Sequence, residues 1–302
     1  RDRSPSRGLG DVYKRQGIDC SFLATGFKSA TYVERQEELC EIAAHNFPIL
    51  NLNHINVRNE DGVAYLQTMS PVDCIFLDPA RRNEHGGKTV SIADCEPNVA
   101  ELEDLLLSKA SRIIIKLSPM LDLSLALKEL KHTQEVHILS VNNECKELLI
   151  LLGQTSPAEI TIHCVNLFTK GTQEEQHFVF TREQEQRSQC TYTDSLGDYL
   201  YEPNASLLKA GAFRSIAAAY PVRKLHPNSH LYTSDTFIEN FPGRIFRIVN
   251  QCSFNKKEVK ENLADLKKAN VTVRNFPATV AELRKRLHLT EGGDCLLYTS
   301  PS

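Results

Sequence analysis

The chain has 302 residues, 41% hydrophobic and 24% charged, with 14 Gly and 13 Pro, a globular composition that excludes a disordered, collagenous or disulfide-framework protein. No apolar run reaches the roughly 18 residues of a membrane span, so a soluble, cytoplasmic chain with no membrane partner is expected. A formal net charge of −3 gives no global electrostatic case for nucleic acid, and any such case must come from a local patch.

Residues 1–16 show no apolar periodicity and carry five basic and two acidic residues. No apolar segment follows them, so they are not a signal peptide. The string resembles a translated sequencing-library adapter, and residues 295–302 resemble the complementary end of the same adapter. Both ends are therefore expected to lie outside the fold, leaving Gly17–Asp294 as the natural stretch.

From Gly17 to about Leu167, strand and helix signals alternate. Ala30–Glu34 reads as a short strand ending in an acid. Helical spacing of Leu39, Ile42, Ala43 and Phe47 follows. Ile55–Val57 is a weak strand leading into a short helix through Tyr65 and Leu66. Asp73–Asp78 and Arg112–Leu117 are continuous apolar strands, with an amphipathic helix Val99–Ala110 between them. Leu123–Leu130 reads as helix and Val136–Val141 as strand, and Glu159–Leu167 is expected to pair antiparallel with Phe178–Phe180 at an edge. Apolar strands separated by amphipathic helices indicate a doubly wound, mostly parallel α/β sheet, Rossmann-like, over residues 17–180. Polar residues 181–198 read as a linker. Residues 199–294 then form a second, smaller α+β domain: a cap at Asn204, a turn at Phe241–Gly243, a strand Arg244–Asn250, a charged helix Lys256–Ala269, a strand Val271–Val273 and a helix Ala281–Leu287. The nine scattered cysteines show no zinc-knuckle spacing and read as small buried hydrophobes. The histidines at 45, 54, 132, 137, 163, 177, 226, 230 and 288 show no metal spacing either. No metal is expected, and Glu84-His85 is a weak candidate only.

Ligands of doubly wound sheets bind beyond the carboxyl ends of the strands. Those ends carry Glu34, Asn59-Glu60-Asp61-Gly62, Asp78-Pro79-Ala80-Arg81-Arg82 and Lys116-Leu117-Ser118-Pro119. An acid such as Glu34 after a strand suits a ribose diol, since one carboxylate accepts two hydroxyl bonds. The strongest signal is Asp78, an ionisable group directly after a fully apolar strand. Pro79 biases it towards an extended backbone, and Arg81 and Arg82 supply forked donors for phosphate or carboxylate. A structural Arg–Asp pair closing a loop is the plain alternative. Lys116 either reaches the cleft or snorkels out of its strand.

The succession of a glycine turn, Tyr32-Val33-Glu34-Arg35, Asn59-Glu60-Asp61-Gly62 and Leu77-Asp78-Pro79-Ala80-Arg81-Arg82 resembles class I S-adenosylmethionine-dependent methyltransferases. Over Gly17–Asp294 the chain is more closely similar to a bacterial family pairing that domain with a C-terminal THUMP-like domain. The second half carries this through Tyr201-Glu-Pro-Asn-Ala205, Phe241-Pro-Gly-Arg244, Val273-Arg-Asn-Phe-Pro277, Glu282–Leu287 and Gly292-Gly-Asp294. The resemblance implies S-adenosylmethionine as cofactor. It implies Gly17 as the last glycine of the cofactor loop, with Asp19 opening the first helix, Glu34 on the ribose and Asp61 on the adenine amino group. Asp78 and Pro79 would lie beside the methyl donor and the nucleophile. It also places a first strand and further glycines ahead of Gly17, where the adapter-like string stands. That strand is expected to be missing, and the chain as written is expected to bind cofactor less well.

The target atom stays open. Modifying a pyrimidine carbon needs a cysteine nucleophile, and Ser118 stands at the position where related RNA carbon methylases can place one. Amino methylases end their tetrad in an aromatic residue that stacks on the flipped base, where this chain has Arg81. Asp78 is therefore read as a partner of a nitrogen or oxygen nucleophile, with Arg81 or Arg82 on a substrate phosphate. Between Asn255 and Thr290, nine basic residues face four acids, the former including Lys267, Lys268, Arg274, Arg284, Lys285 and Arg286. Such segregation is either a nucleic-acid footprint or a solvated helix face. RNA is the expected partner by analogy with THUMP domains, with a silent RNA-binding module or a small-molecule methylase as the alternatives.

Overall fold

The computed structural model describes residues 17–81, 91–171, 175–264, 266–273, 276–293 and 295–299, with the side chain of Arg81 outside that description. The N-terminal part contains α1 (Ile18–Leu23), β1 (Ala30–Glu34), α2 (Glu37–Ile49), β2 (Ile55–Asn59) and α3 (Gly62–Thr68). Strands β1 and β2 pair in parallel with Glu34 opposite Asn59. The apolar stripe of α2 packs Ala43 and Phe47 with Ala24, Leu52 and Ile55 into a small core of their own.

The main sheet follows: β3 (Val72–Leu77), the short antiparallel ladder of β4 (Ala80–Arg81) and β5 (Cys95–Glu96), α4 (Val99–Lys109), β6 (Ala110–Leu117), α5 (Leu123–Glu129), β7 (Thr133–Val141), β8 (Glu144–Gly153), β9 (Thr161–Leu167) and β10 (Glu175–Thr181). Six strands lie in the order β10-β9-β7-β8-β6-β3. Strands β3, β6, β7 and β9 run one way, while β8 is inserted antiparallel between β6 and β7 and β10 closes the edge antiparallel to β9. The expected doubly wound α/β domain and its antiparallel edge are thus present. Isoleucines 113 and 115, Leu148, Ile150, Val136 and Ile138 form the buried face, covered by Val99 and Leu106 of α4 and Ala126 of α5. No described strand bonds to both β1 and β3, so the sheet is in two pieces. Residues 1–16, where the resemblance implies a first strand, lie outside the described residues.

Residues 181–198, expected as a linker, begin with helix α6 (Arg182–Arg187) instead. A capping box explains it: the Thr181 hydroxyl accepts from the Gln184 amide, and the Gln184 side chain returns the bond to the Thr181 amide. Next come β11 (Tyr199–Pro203), α7 (Ala205–Ala210), α8 (Ser215–Ala219), β12 (Arg223–Lys224), β13 (Tyr232–Ser234) and β14 (Gly243–Arg247). The four strands form one sheet in the order β12-β13-β11-β14. Fully buried Tyr201 and Tyr232 of this sheet, Leu207 of α7, Ile216 of α8 and Phe241 before β14 join the core of the main sheet. Asn204 caps α7 as the sequence suggested.

The last part holds α9 (Lys256–Leu263), β15 (Asn270–Val273), α10 (Val280–Leu287) and β16 (Leu296–Thr299) around a separate core of Ala269, Val271, Leu283 and Leu289. Helix α9 stops at Leu263 rather than Ala269, because the amides of Ala269 and Asn270 bond to Thr290 and Cys295 and draw the chain out straight. Residues 295–302, expected outside the fold, supply β16, which pairs in parallel with β15. Leu297 packs on the small core and the Tyr298 hydroxyl donates to Glu202 at 2.8 Å. Among the described residues, no helix is long and apolar enough to cross a membrane.

Candidate functional site

The β1–β2 register sets Glu34 beside Asn59, and the Glu60 amide bonds to the Glu34 carbonyl at 3.1 Å. The Asn59 side chain donates to the carbonyls of Glu34 and Arg35, both at 3.1 Å, and so fixes the turn on which Glu34 stands. Cys40 adds a thiol bond to the Glu34 carbonyl from helix α2. The sequence signals an acid at a strand end but gives no hint of this clamp. Glu34 Oε1 accepts the Gln36 amide at 2.9 Å. Asp61 is the N-cap of α3, its Oδ1 accepting the amides of Val63 and Ala64 at 3.0 Å each. In both acids the second carboxylate oxygen makes no hydrogen bond to a described residue and remains available to a ligand.

Asp78 follows β3, where Leu77 stands opposite Ile115 of β6. One residue on, Lys116 is 6% exposed and is the centre of the arrangement. Its Nζ lies 3.1 Å from Asp78 Oδ2 and is also bonded to Asp19 Oδ2 of α1, while Phe76 offers its ring face 5.9 Å away. Burial alone would lower the Lys116 proton affinity, but the bonds and charges of Asp19 and Asp78 outweigh it and hold the ammonium above the ordinary lysine range. A lysine directly after three consecutive isoleucines in a strand was the available signal, read in the sequence only as reaching or snorkelling.

Gly17 is buried with φ +75°, and a Cβ there would come 2.8 Å from Phe47 Cζ. Both the left-handed backbone and the close ring require glycine. It starts α1 so that Asp19, two residues on, meets Lys116. A second contact ties the two sheet pieces at this edge: Arg35, next to Glu34, lies 3.6 Å from Glu96, which pairs with Ala80 in the β4–β5 ladder. The structure therefore brings Asp19, Lys116 and Asp78 into one ion-pair set and ties Glu34 to the turn before Asp61 by a backbone bond, with Arg35 linking the latter to Glu96. Pro79 is part-buried between Asp78 and β4. Arg82, Glu84 and His85 lie outside the described residues, and of Arg81 only the backbone, in β4, is described. An open pocket of about 430 Å³ among Phe27, Asp73, Cys74, Ser111, Arg112 and Gln134 sits at the amino ends of the strands, the edge away from these acids.

In the basic segment, Lys267, Lys268, Lys285 and Arg286 are exposed. Arg286 lies over the Phe254 ring at 4.2 Å, and Arg284 pairs with Glu291 at 3.0 Å, so these two are partly committed within the domain. Arg274 lies outside the described residues.

Two family profiles match the C-terminal third: a ferredoxin-like domain over residues 199–242 and a THUMP domain-like region over residues 243–301. No curated protein matches the chain. Among solved structures, a Porphyromonas gingivalis W83 protein assigned as a methyltransferase is 38% identical, with a TM-score of 0.84 over 94% of this chain and 71% of that one. An rRNA methylase from Streptococcus thermophilus is 12% identical, with a TM-score of 0.32 over 46% of this chain and 80% of that one. A Streptococcus mutans protein assigned as a methyltransferase, in complex with SAH, is 11% identical, with a TM-score of 0.32 over 46% and 82%. These two likenesses are too remote to carry an argument. With 38% identity over nearly its whole length, the chain belongs to the methyltransferase family of the P. gingivalis protein and carries a THUMP-like domain at its C-terminus.

Proposed function

We propose that the protein transfers a methyl group from S-adenosylmethionine to a nitrogen or oxygen atom of RNA. The observation that carries this reading is the Asp19–Lys116–Asp78 set at the carboxyl edge of the sheet, with Arg35, which follows Glu34, paired to Glu96 in the β4–β5 ladder after Asp78. Two acids, each with a carboxylate oxygen left over from its structural bonds, suit a ribose diol and an adenine amine, so the donor set fits the nucleoside of the cofactor. When bound, the cofactor supplies a methyl carbon on a positively charged sulfur. The carboxylates of Asp19, Asp78, Glu34 and Asp61 favour a positively charged group among them. Lys116 takes Asp78 Oδ2 and holds the carboxylate in place, so Asp78 Oδ1 accepts the N–H or O–H of the incoming nucleophile and aims its lone pair. Orientation of this kind is the main contribution the chain makes to an in-line displacement. Arg81 and Arg82 follow directly and are assigned to a substrate phosphate by chain position. The THUMP domain-like match and exposed Lys267, Lys268 and Lys285 support RNA over a metabolite.

The test is methyl transfer to bulk bacterial RNA by the full-length protein and its Asp78→Asn variant. The variant is expected to lose roughly a hundredfold in rate, the scale of a misplaced reacting group. An undiminished rate removes Asp78 from the reaction.

A further inference from the structure

Histidines that the sequence scatters over 40 residues meet on one face of the main sheet. His137 of β7 stands directly opposite His163 of β9 in the parallel register, and their rings stack at 4.4 Å with 4° between planes. His177 of β10 continues the row, its ring 5.6 Å from that of His163. Glu135, two residues before His137 and so on the same face, places Oε2 3.1 Å from His137 Nε2 and 4.0 Å from His163 Nε2. All three ligand atoms lie within 4.8 Å of one another.

From Glu135, His137 and His163 we infer a binding site for a divalent transition-metal ion, zinc by ligand chemistry, that clasps β7 to β9. Two imidazoles and one carboxylate form a donor set suited to zinc, cobalt or nickel rather than magnesium or calcium. Ligands at roughly 2.0–2.1 Å from a tetrahedral ion stand roughly 3.3 Å apart, and the observed 3.1 and 4.0 Å bracket that value. Parallel stacked rings aim their lone pairs side by side, so each ring turns about its Cβ–Cγ bond to point at one centre. Side chains that are 29% and 23% exposed have room for that turn and leave the ion an entry path. Because the ligands come from neighbouring strands, the ion cross-links β7 and β9 without moving the backbone. The fourth position faces solvent, with His177 next to it.

The site is separate from the methyl-transfer residues. Lys116, Leu149, His137 and His163 follow one another across β6, β8, β7 and β9, so two strand spacings, about 10 Å, separate the Lys116 and His137 backbones. Sequence spacing could not reveal the cluster, because its members sit 26 residues apart on strands paired only in the fold.

Cobalt(II) is the probe, since its visible bands report ligand type and separate this site from the nine cysteines. Chelator-treated full-length protein is titrated with cobalt(II) alone, alongside His163→Gln and Glu135→Gln. The expected result is one equivalent bound without a thiolate-to-cobalt charge-transfer band. Affinity should fall by about a hundredfold in His163→Gln, as loss of even an outer partner costs about 10–100-fold. It should fall about tenfold or more in Glu135→Gln, which preserves shape and decides the matter if the histidine variant does not fold. Absence of binding, a thiolate band on the bound ion, or unchanged affinity in the folded variants overturns the proposal.

Discussion

Replacing Lys116 by Met tests the ion-pair set most sharply. The substitution keeps most of the buried stem and removes the ammonium, whose bonds reach Asp19 and Asp78. Removing one partner of a fully buried pair costs about 3–5 kcal/mol. Here the two acids keep 35% and 40% of their side chains exposed, so water rehydrates them and the full figure does not apply. Methionine also relieves the desolvation of a buried charge. Against these gains stand two lost charge-assisted bonds at about 1.5–3 kcal/mol each and two carboxylates left repelling each other. The net expectation is a loss of about 1–3 kcal/mol in urea unfolding, with a coupling of about 1 kcal/mol or more between Lys116→Met and Asp78→Asn in a double-mutant cycle. The ammonium binds its proton more tightly folded than unfolded, so its stabilisation is complete below the unfolded lysine value of roughly 10.4 and disappears as pH rises through the higher folded one. Wild type should therefore lose stability above about pH 10.4 more steeply than the variant. A variant at least as stable as wild type, or a coupling below about 0.5 kcal/mol, refutes the reasoning.

Other outcomes follow from the same geometry. Gly17→Ala meets both a left-handed backbone and the Phe47 ring, and should cost about 2–4 kcal/mol by chemical denaturation, where a neutral result would contradict the close packing. Asn59→Ala removes one bond to each of the Glu34 and Arg35 carbonyls and should cost about 1–2 kcal/mol, with cofactor affinity falling while the unfolding transition stays cooperative. Changing Lys267, Lys268 and Lys285 together to Gln should flatten the salt dependence of RNA binding by about 2 in log–log slope, three contacts at about 0.7 each; an unchanged slope removes them from the interface.

The sequence disclosed what local pattern controls. Continuous apolar runs such as Ile113–Ile115 mark buried strands, and Asp78 after such a run marks the carboxyl end of β3. What it concealed depends on pairing between distant segments. Strand β8 follows β7 in the chain yet inserts between β7 and β6, and that order decides which side chains share a row. Lys116 meets Asp19 across 97 positions, a contact no spacing rule reports. Helix α6 within residues 181–198 was not legible either, because a capping box makes a short helix out of a polar stretch. Strand β16 was not legible in residues 295–302, because four residues gain a strand only when β15 is there to pair with them. Arginines 284 and 286 count as free charge in sequence, although Glu291 and Phe254 engage them in the fold.

The most direct measurement is calorimetric titration of the full-length protein with S-adenosylhomocysteine, in wild type and in Glu34→Ala. The account predicts one equivalent bound by wild type and an affinity about 10–100-fold lower in the variant, the loss of about 1.4–2.8 kcal/mol expected when a ribose diol loses its carboxylate. Absence of saturable binding by wild type, or equal affinity in the two proteins, would contradict a nucleoside site at this edge of the sheet.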